Sequence, residues 1–362
     1  MKRLLVVALE ASADLHGAKV LAELKATHQG LQAFGAGGPR MRAQGFEALV
    51  RSEDLSVMGV AEVVPALPRV LDAMDLLEDA ARDRRPQAAL LIDSPDFNLR
   101  LAARLKRRKI PVAYFIGPSV WAWRTYRVRQ IARDVARMLV ILPFEQAFYA
   151  RHGVQATYVG NPLADALPAE AAPRALNGTL ALLPGSRRQE VLRLWPPMLQ
   201  AARALQEQQP GLRLVMPVAP TVDRAWLGDT SGVELTDGRA PEVLQQADAA
   251  IVASGTATLE AALALTPHVV VYKLSWLSWL IGRLLVRVSH VSLPNLLAGR
   301  GLVPELLQSE CTAPRIAEAT QPLLRDGPAR SAQLKGLEQI RAQLLAQPDA
   351  AKAVAREVAA LL

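Results

Sequence analysis

The chain has 362 residues, 51% hydrophobic and 21% charged content, and a formal net charge of +8. That length suits two domains better than one, and the composition excludes a disordered chain. A single cysteine, Cys311, excludes an internal disulfide and fits a reducing compartment.

The positive balance points to an anionic partner. No zinc-ligand spacing, RNP-like segment or long Lys/Arg block appears, so no nucleic acid is expected. Lys106-Arg107-Arg108-Lys109 reads as the solvated end of a helix. The apolar stretch Leu4 to Leu9 is shorter than a signal-peptide core and runs into Glu10, so a cytoplasmic protein is expected.

In chain order, short continuous apolar runs alternate with longer helical patterns. The first run, Leu4–Ala8, leads through Glu10-Ala11-Ser12-Ala13-Asp14 into a helix over Gly17–Thr27. Two carboxylates and a hydroxyl at a strand end suit acid/base work or sugar hydroxyls. Spacing alone favours a helix cap by Ser12 or Asp14, worth about 1 kcal/mol. Gly35-Ala36-Gly37-Gly38-Pro39 falls short of a dinucleotide loop, because Pro39 opens no clean helix and the preceding strand is poor. Val57–Leu77 is apolar at helical spacing (Val60, Val63, Val64, Leu67, Leu71) despite Pro65 and Pro68.

Ala88–Ile92 is the next strand, followed by Asp93-Ser94-Pro95-Asp96-Phe97-Asn98 and a helix over Asn98–Arg108. Capping fits Asp96 or Asn98 better than Asp93, which leaves Asp93 as a general-base candidate. The string is not Asp-x-Asp, so no metal is proposed. Val112–Ile116 ends at Gly117-Pro118-Ser119-Val120-Trp121-Ala122-Trp123-Arg124, whose two tryptophans stack on a ring, hold the loop's shape or pack an interdomain seam. Met138–Leu142 and Thr157–Val159 complete the first series of strands. The pattern then pauses over Asn161–Gly178, where the domain boundary is placed.

The second series comprises Leu180–Leu183, Leu212–Pro217, Ala249–Ala253 and Val269–Tyr272, with helices over Arg188–Glu207, Pro241–Ala247 and Thr258–Leu265. Continuous apolar strands alternating with helices predict parallel sheets covered on both faces. The fold class is therefore α/β, with two doubly wound Rossmann-like domains facing a cleft and a helical C-terminus. In such sheets ligands bind beyond the C-terminal ends of the strands. Gly185, Ser186 and Arg187 follow one strand and open a helix, which suits a phosphate: close backbone, a hydroxyl, first-turn amides and a forked donor. A capped helix with solvated arginines fits the same residues. Ser254, Gly255, Thr256 and Thr258 open another helix with Glu260 one turn inside, so amides and hydroxyls for a diphosphate stand beside a carboxylate for ribose. Ser275–His290 is a helix whose face of Trp276, Trp279, Arg283 and Arg287 matches an interfacial helix, its arginines arguing against a membrane span. A core or dimer seam fits this helix and Val57–Leu77 equally well.

Together these stretches resemble one family, the lipid-A-disaccharide synthases, glycosyltransferases of the two-domain GT-B fold. The matching segments are "GAGGPRMRAQG" (35–45), "SVMGVAEV" (56–63), "IDSPDFN" (92–98), "GPSVWAWR" (117–124), "LPFEQAFY" (142–149), "LLPGSRRQE" (182–190), "SGTATLE" (254–260) and "VSLPNLLAGRGLVPELLQ" (291–308). The resemblance implies transfer, with inversion, from UDP-2,3-diacylglucosamine to 2,3-diacylglucosamine 1-phosphate, giving a β-1,6 disaccharide and UDP without a cofactor or metal. It implies that Asp93 is the base, that Arg187 faces the diphosphate, and that Asn295 and Glu10 also serve catalysis. Substrate binding falls to Ser12, Asp14, Gly185, Ser186, Ser254, Gly255, Thr256, Thr258 and Glu260.

Acyl chains or membrane would meet Val60, Val64, Leu67, Trp276, Trp279, Arg283 and Arg287, on a protein peripheral to the cytoplasmic face of the inner membrane. The expected domains are 1–165 for acceptor and lipid, 175–335 for the UDP-sugar, and helices over 336–362 packing back on the first domain, with a possible homodimer. The family usually has Gly-Glu-x-Ser-Gly-Asp after the first strand. Leu9 and Ala13 replace both glycines here, which matters if either position needs positive φ or must nearly touch the sugar. The family commonly has Gly-His before the interdomain segment, where this chain has Gly160-Asn161. A UDP-sugar 2-epimerase or hydrolase on the same fold, or a non-catalytic UDP- or lipid-binding relative, is the competing reading.

Overall fold

The computed structural model describes residues 2–55, 60–167, 175–276, 279 and 289–362, with backbone alone for 60–67. The chain forms two units, Met1–Asp165 with Gln347–Leu362, and Ala166–Ala346.

The first unit is built on seven strands: β1 (Arg3–Ala8), β2 (Gln32–Gly37), β3 (Glu47–Arg51), β4 (Ala88–Ile92), β5 (Val112–Phe115), β6 (Arg137–Val140) and β7 (Ala156–Tyr158). All pair in parallel, in the order β3-β2-β1-β4-β5-β6-β7. Leu5, Val7, Leu91 and Tyr114 point into the core on one face of this sheet, and Leu4, Val6, Leu90 and Phe115 into the core on the other. Because both faces are covered, β4 and the whole of β1 after Arg3 are uninterrupted apolar runs.

The second unit repeats the plan with β8 (Thr179–Leu183), β9 (Arg213–Val218), β10 (Val233–Asp237), β11 (Ala249–Ala253), β12 (His268–Tyr272) and β13 (Glu305–Leu307). Its parallel order is β10-β9-β8-β11-β12-β13. In chain order, the α-helices up to β12 among the described residues are α1 (Ala11–Thr27), α2 (Pro39–Ala43), α3 (Ser52–Leu55), α4 (Val60–Arg84), α5 (Pro95–Arg107), α6 (Arg127–Asp134), α7 (Pro143–Ala150), α8 (Arg188–Gln208), α9 (Ala240–Gln246) and α10 (Thr256–Leu263).

Four strands, β2, β3, β10 and β13, were not expected. Gly35 and Gly37 in β2 are not loop glycines. A Cβ on Gly35 would lie 2.2 Å from the Val6 carbonyl oxygen, so the glycine lets β1 come close, and the β2–β3 register shifts next to it. Nor does Pro39 fail to open a helix: it occupies the first turn of α2, where a missing N–H costs nothing. The basic run at 106–109 is only partly a solvated helix end, because Arg108 pairs with Glu78 of α4 at 2.9 Å.

The helical stretch expected over 336–362 divides between the units. Helix Pro328–Leu345 stays with the second, where the buried Arg330 donates to the carbonyls of Asp248 and Leu323. Helix Ala350–Ala359 lies against α1 in the first. Asp165 receives its N-terminus, accepting from the amides of Asp349 and Ala350 at 2.8 Å each. Replacing Asp165 with Ala should cost about 1–2 kcal/mol, the usual worth of a helix cap, read from the urea midpoint.

Candidate functional site

In each sheet the strand order turns at one pair of neighbours, β1/β4 in the first unit and β8/β11 in the second. Helices leave in opposite directions there and open a crevice at the strands' C-terminal ends. The segments Glu10–Asp14 and Asp93–Asn98 follow β1 and β4, while Gly185–Arg187 and Ser254–Glu260 follow β8 and β11.

At the β1/β4 turn, Glu10 is the exposed N-cap residue of α1, and its side chain makes no cap hydrogen bond. Ser12 is exposed in the first turn. Leu9 and Ala13 are absent from the residues with positive φ, so neither position needs a glycine for its backbone conformation. Asp14 is buried and caps another helix rather than its own. It accepts from the amides of Gly38 (2.8 Å), Arg40 (2.9 Å) and Met41 (3.0 Å) at the start of α2. A Cβ on Gly38 would sit 2.6 Å from that carboxylate, so glycine is required for the contact. Asp14 thus anchors the start of α2 to α1.

Asp93 differs. It is half-buried, at φ +52, and Ser94 follows at φ +43. Two successive side-chain-bearing residues in the left-handed region cost on the order of 1–2 kcal/mol each. Burial pushes the Asp93 carboxyl up to about 6; the negative charge of Glu10 adds to this and a hydrogen bond from the Ser94 backbone opposes it. Neither expected cap serves α5. Asp96 is paired with Arg127 and with Arg124 (3.4 Å), and the Asn98 amide donates to the carbonyls of Ile92 and Asp93. Of the loop tryptophans, Trp121 holds the loop by donating to the buried Glu145 at 3.1 Å and packing edge-on to Phe144. Trp123 is exposed, with the Arg124 guanidinium 4.2 Å above its ring.

At the β8/β11 turn, Gly185 sits at φ +104, and a Cβ there would lie 2.6 Å from the Glu190 carboxylate. The close approach at Gly185 is therefore made by Glu190. Ser186 is exposed, and Thr221 fixes its carbonyl at 2.9 Å. Arg187 pairs with Glu190 at 3.0 Å while its side chain remains 81% exposed. Such a surface pair is worth about 0–1 kcal/mol, so a diphosphate can displace it. Tyr272, unforeseen in the sequence, stands close enough for both charges to act on it: burial first and Glu190 second raise its hydroxyl pKa, and Arg187 opposes them.

Ser254 donates to the Val291 carbonyl at 3.1 Å, leaving it lone pairs to offer a ligand. Gly255 and Thr256 are exposed, no side chain caps α10, and a Cβ on Gly255 would meet nothing within 4 Å, so its first amides are open to an anion. Thr258 is fully buried and donates to the Gly255 carbonyl at 2.7 Å, which removes it from the expected binding set. Glu260 is half-buried with no side-chain partner among the described residues, and burial raises its pKa. A diol would satisfy it.

Asn295 is likewise not a contact residue. It is 1% exposed and its amide is saturated. It donates to the Val303 carbonyl and Glu305 (2.9 and 2.8 Å) and accepts from the amides of Leu302 and Val303 (2.7 and 2.8 Å). Glu305 also accepts from Val291 and Ser292, and the Val291 carbonyl holds Ser254. Asn295 thus reaches Ser254 at the β8/β11 corner through this network. Of the proposed acyl-contact residues, Trp276 is exposed and Trp279 half-buried. The side chains of Val60, Val64 and Leu67, and the whole of Arg283 and Arg287, lie outside the described residues.

The architecture is that of GT-B glycosyltransferases. It is similar over 100% of the chain and 98% of the other to the calicheamicin glycosyltransferase CalG4, with TM-score 0.65 and 19% identity. The UDP-GlcNAc 2-epimerase of Neisseria meningitidis, solved with UDP-GlcNAc, covers 99% of each chain at TM-score 0.64 and 13% identity. Residues 4–359 match the family model described as lipid-A-disaccharide synthetase, and the chain belongs to this family of glycosyltransferases. Relatives named lipid-A-disaccharide synthase are 53% identical over 370 residues in Anaeromyxobacter sp. strain K (98% of this chain, 96% of the relative) and 48% identical over 374 residues in Myxococcus xanthus (99% and 97%).

Two outcomes follow. Asn295→Ala strands two amides and a carbonyl, so at least about 2–3 kcal/mol of stability should be lost in urea unfolding. Asp93→Asn should raise the melting temperature at pH 7. The raised carboxyl pKa means that the native state holds a proton which the unfolded chain has lost between about 4 and 6, so wild-type stability falls as pH rises through that window. The gain in the variant should therefore vanish near pH 4.

Proposed function

We propose that the chain joins UDP-2,3-diacylglucosamine to the 6-hydroxyl of 2,3-diacylglucosamine 1-phosphate, with inversion at the donor C1. Family membership supports the substrate class. The observation that carries the chemistry is Asp93, a half-buried carboxylate beyond β4 whose pKa of about 6 suits a base near neutral pH. As the acceptor O6 bonds to C1, Asp93 takes the hydroxyl proton. The C1–O bond to UDP breaks, and its electron pair leaves on the diphosphate.

Growing charge on UDP is met in the second unit by Arg187, Ser186 and the first amides of α8 and α10. One such donor in a dry site is worth about 3–4 kcal/mol in the transition state. Glu260 takes the ribose hydroxyls. Both substrates carry acyl chains, which gives the exposed Trp276 and the net charge of +8 a use at an anionic membrane surface. No helix among the described residues is long and apolar enough to cross a membrane.

The test is a detergent assay with both lipids, following UDP and lipid products by mass. Disaccharide and UDP should appear together. Asp93→Asn should lower the rate about 10²–10⁴-fold, the usual worth of a general base. Wild-type activity should fall as pH drops below about 6, where Asp93 takes up a proton. UDP without disaccharide would mean hydrolysis or another acceptor, and UDP binding without turnover would mean a non-catalytic relative.

A further inference from the structure

The turn that carries Asp93 is unfavourable in isolation, and the groups that hold it can be named. Left to themselves, Asp93 and Ser94 would relax out of the left-handed region and carry the carboxylate away. The Asp93 amide donates to the Phe115 carbonyl at 2.9 Å, which extends the β4–β5 ladder by one residue. The Asp93 carbonyl then accepts two further bonds, from the Tyr114 hydroxyl of β5 at 2.6 Å and from the Asn98 amide of α5 at 2.8 Å. Asn98 also donates to the Ile92 carbonyl at 3.1 Å, so it grips the turn on both sides.

Both side chains are fully buried. Among the described residues, the hydroxyl of Tyr114 has no hydrogen-bond partner other than the Asp93 carbonyl. A phenylalanine would fill the same space, so packing does not explain the oxygen. Burial holds the phenol well above its ordinary pKa, so it stays a donor at any working pH.

We propose that Tyr114 and Asn98 are positioning residues for glycosyl transfer: they clamp the Asp93 carbonyl and so aim the Asp93 carboxylate at the acceptor hydroxyl. The proposal rests on Asp93 being the base. A misplacement of about 1 Å at a reacting group can cost about 10²-fold, so the loss of one of two clamps should be felt in kcat.

The experiment compares wild type, Tyr114→Phe, Asn98→Ala, Asp93→Asn and the Asp93→Asn/Tyr114→Phe double variant, reading kcat, KM for each substrate and melting temperature. Tyr114→Phe should lower kcat about tenfold with both KM values within about twofold of wild type, since only the orientation of the base has changed. In the Asp93→Asn background the same substitution should cost nothing further. Asn98→Ala keeps the tyrosine and removes the other clamp, and should show the same split should Tyr114→Phe fail to fold. Wild-type kcat in both Tyr114→Phe and Asn98→Ala would overturn the proposal. So would an equal loss from Tyr114→Phe in both backgrounds, which would make the hydroxyl independent of Asp93. Full activity in Asp93→Asn would instead overturn the assignment of the base, and the clamp with it.

Discussion

Parallel strand pairing is the constraint on which the rest depends. A parallel ladder satisfies the backbone along its length, but each strand must return by a helix. Where the order turns, at β1/β4 and β8/β11, the helices part and leave strand ends and helix N-termini with unspent hydrogen-bonding capacity. Every proposed reacting group follows one of these four strands. The sheets behind them are buried on both faces, so the corners rest on a rigid floor.

The acidic residues then divide by what surrounds them. Asp14, Asp165, Asp248 and Glu305 each accept two or more hydrogen bonds from the chain itself. They stitch loops and helix ends together. Asp93 and Glu260 are half-buried, and burial raises the pKa of each. A carboxylate withdrawn from water and short of donors destabilises the free protein, and such groups concentrate where ligands bind. The strained turn at Asp93–Ser94 is a second local cost at the same place. Similarity to the epimerase and to CalG4 establishes the fold alone, a framework that one protein uses as an epimerase and the other as a glycosyltransferase.

Much of this was legible in the sequence. Continuous apolar runs marked β4 and β11 to the residue, and the corners after them contained Asp93 and Glu260. Other strands carry little signal: β2 is broken by glycines that serve a tight strand contact, and β13 spans only Glu305–Leu307. Side-chain roles were harder to read. Asp14, Thr258 and Asn295 are the residue types that ligands need, but their hydrogen bonds close within the fold, through partners up to 27 residues away. Spacing cannot reveal that saturation. Nor could it show the Tyr114 hydroxyl reaching the Asp93 carbonyl, because the contact crosses between neighbouring strands.

Proton removal by Asp93 requires a carboxyl withdrawn from water and poised near neutrality. The most direct measurement is its own titration: ¹³C-carboxyl NMR of aspartate-labelled protein, with the resonance assigned by its loss in Asp93→Asn. An apparent pKa of about 6 is expected. A value near the ordinary 3.8 would mean a solvated carboxylate, and the case for Asp93 as the base would fall.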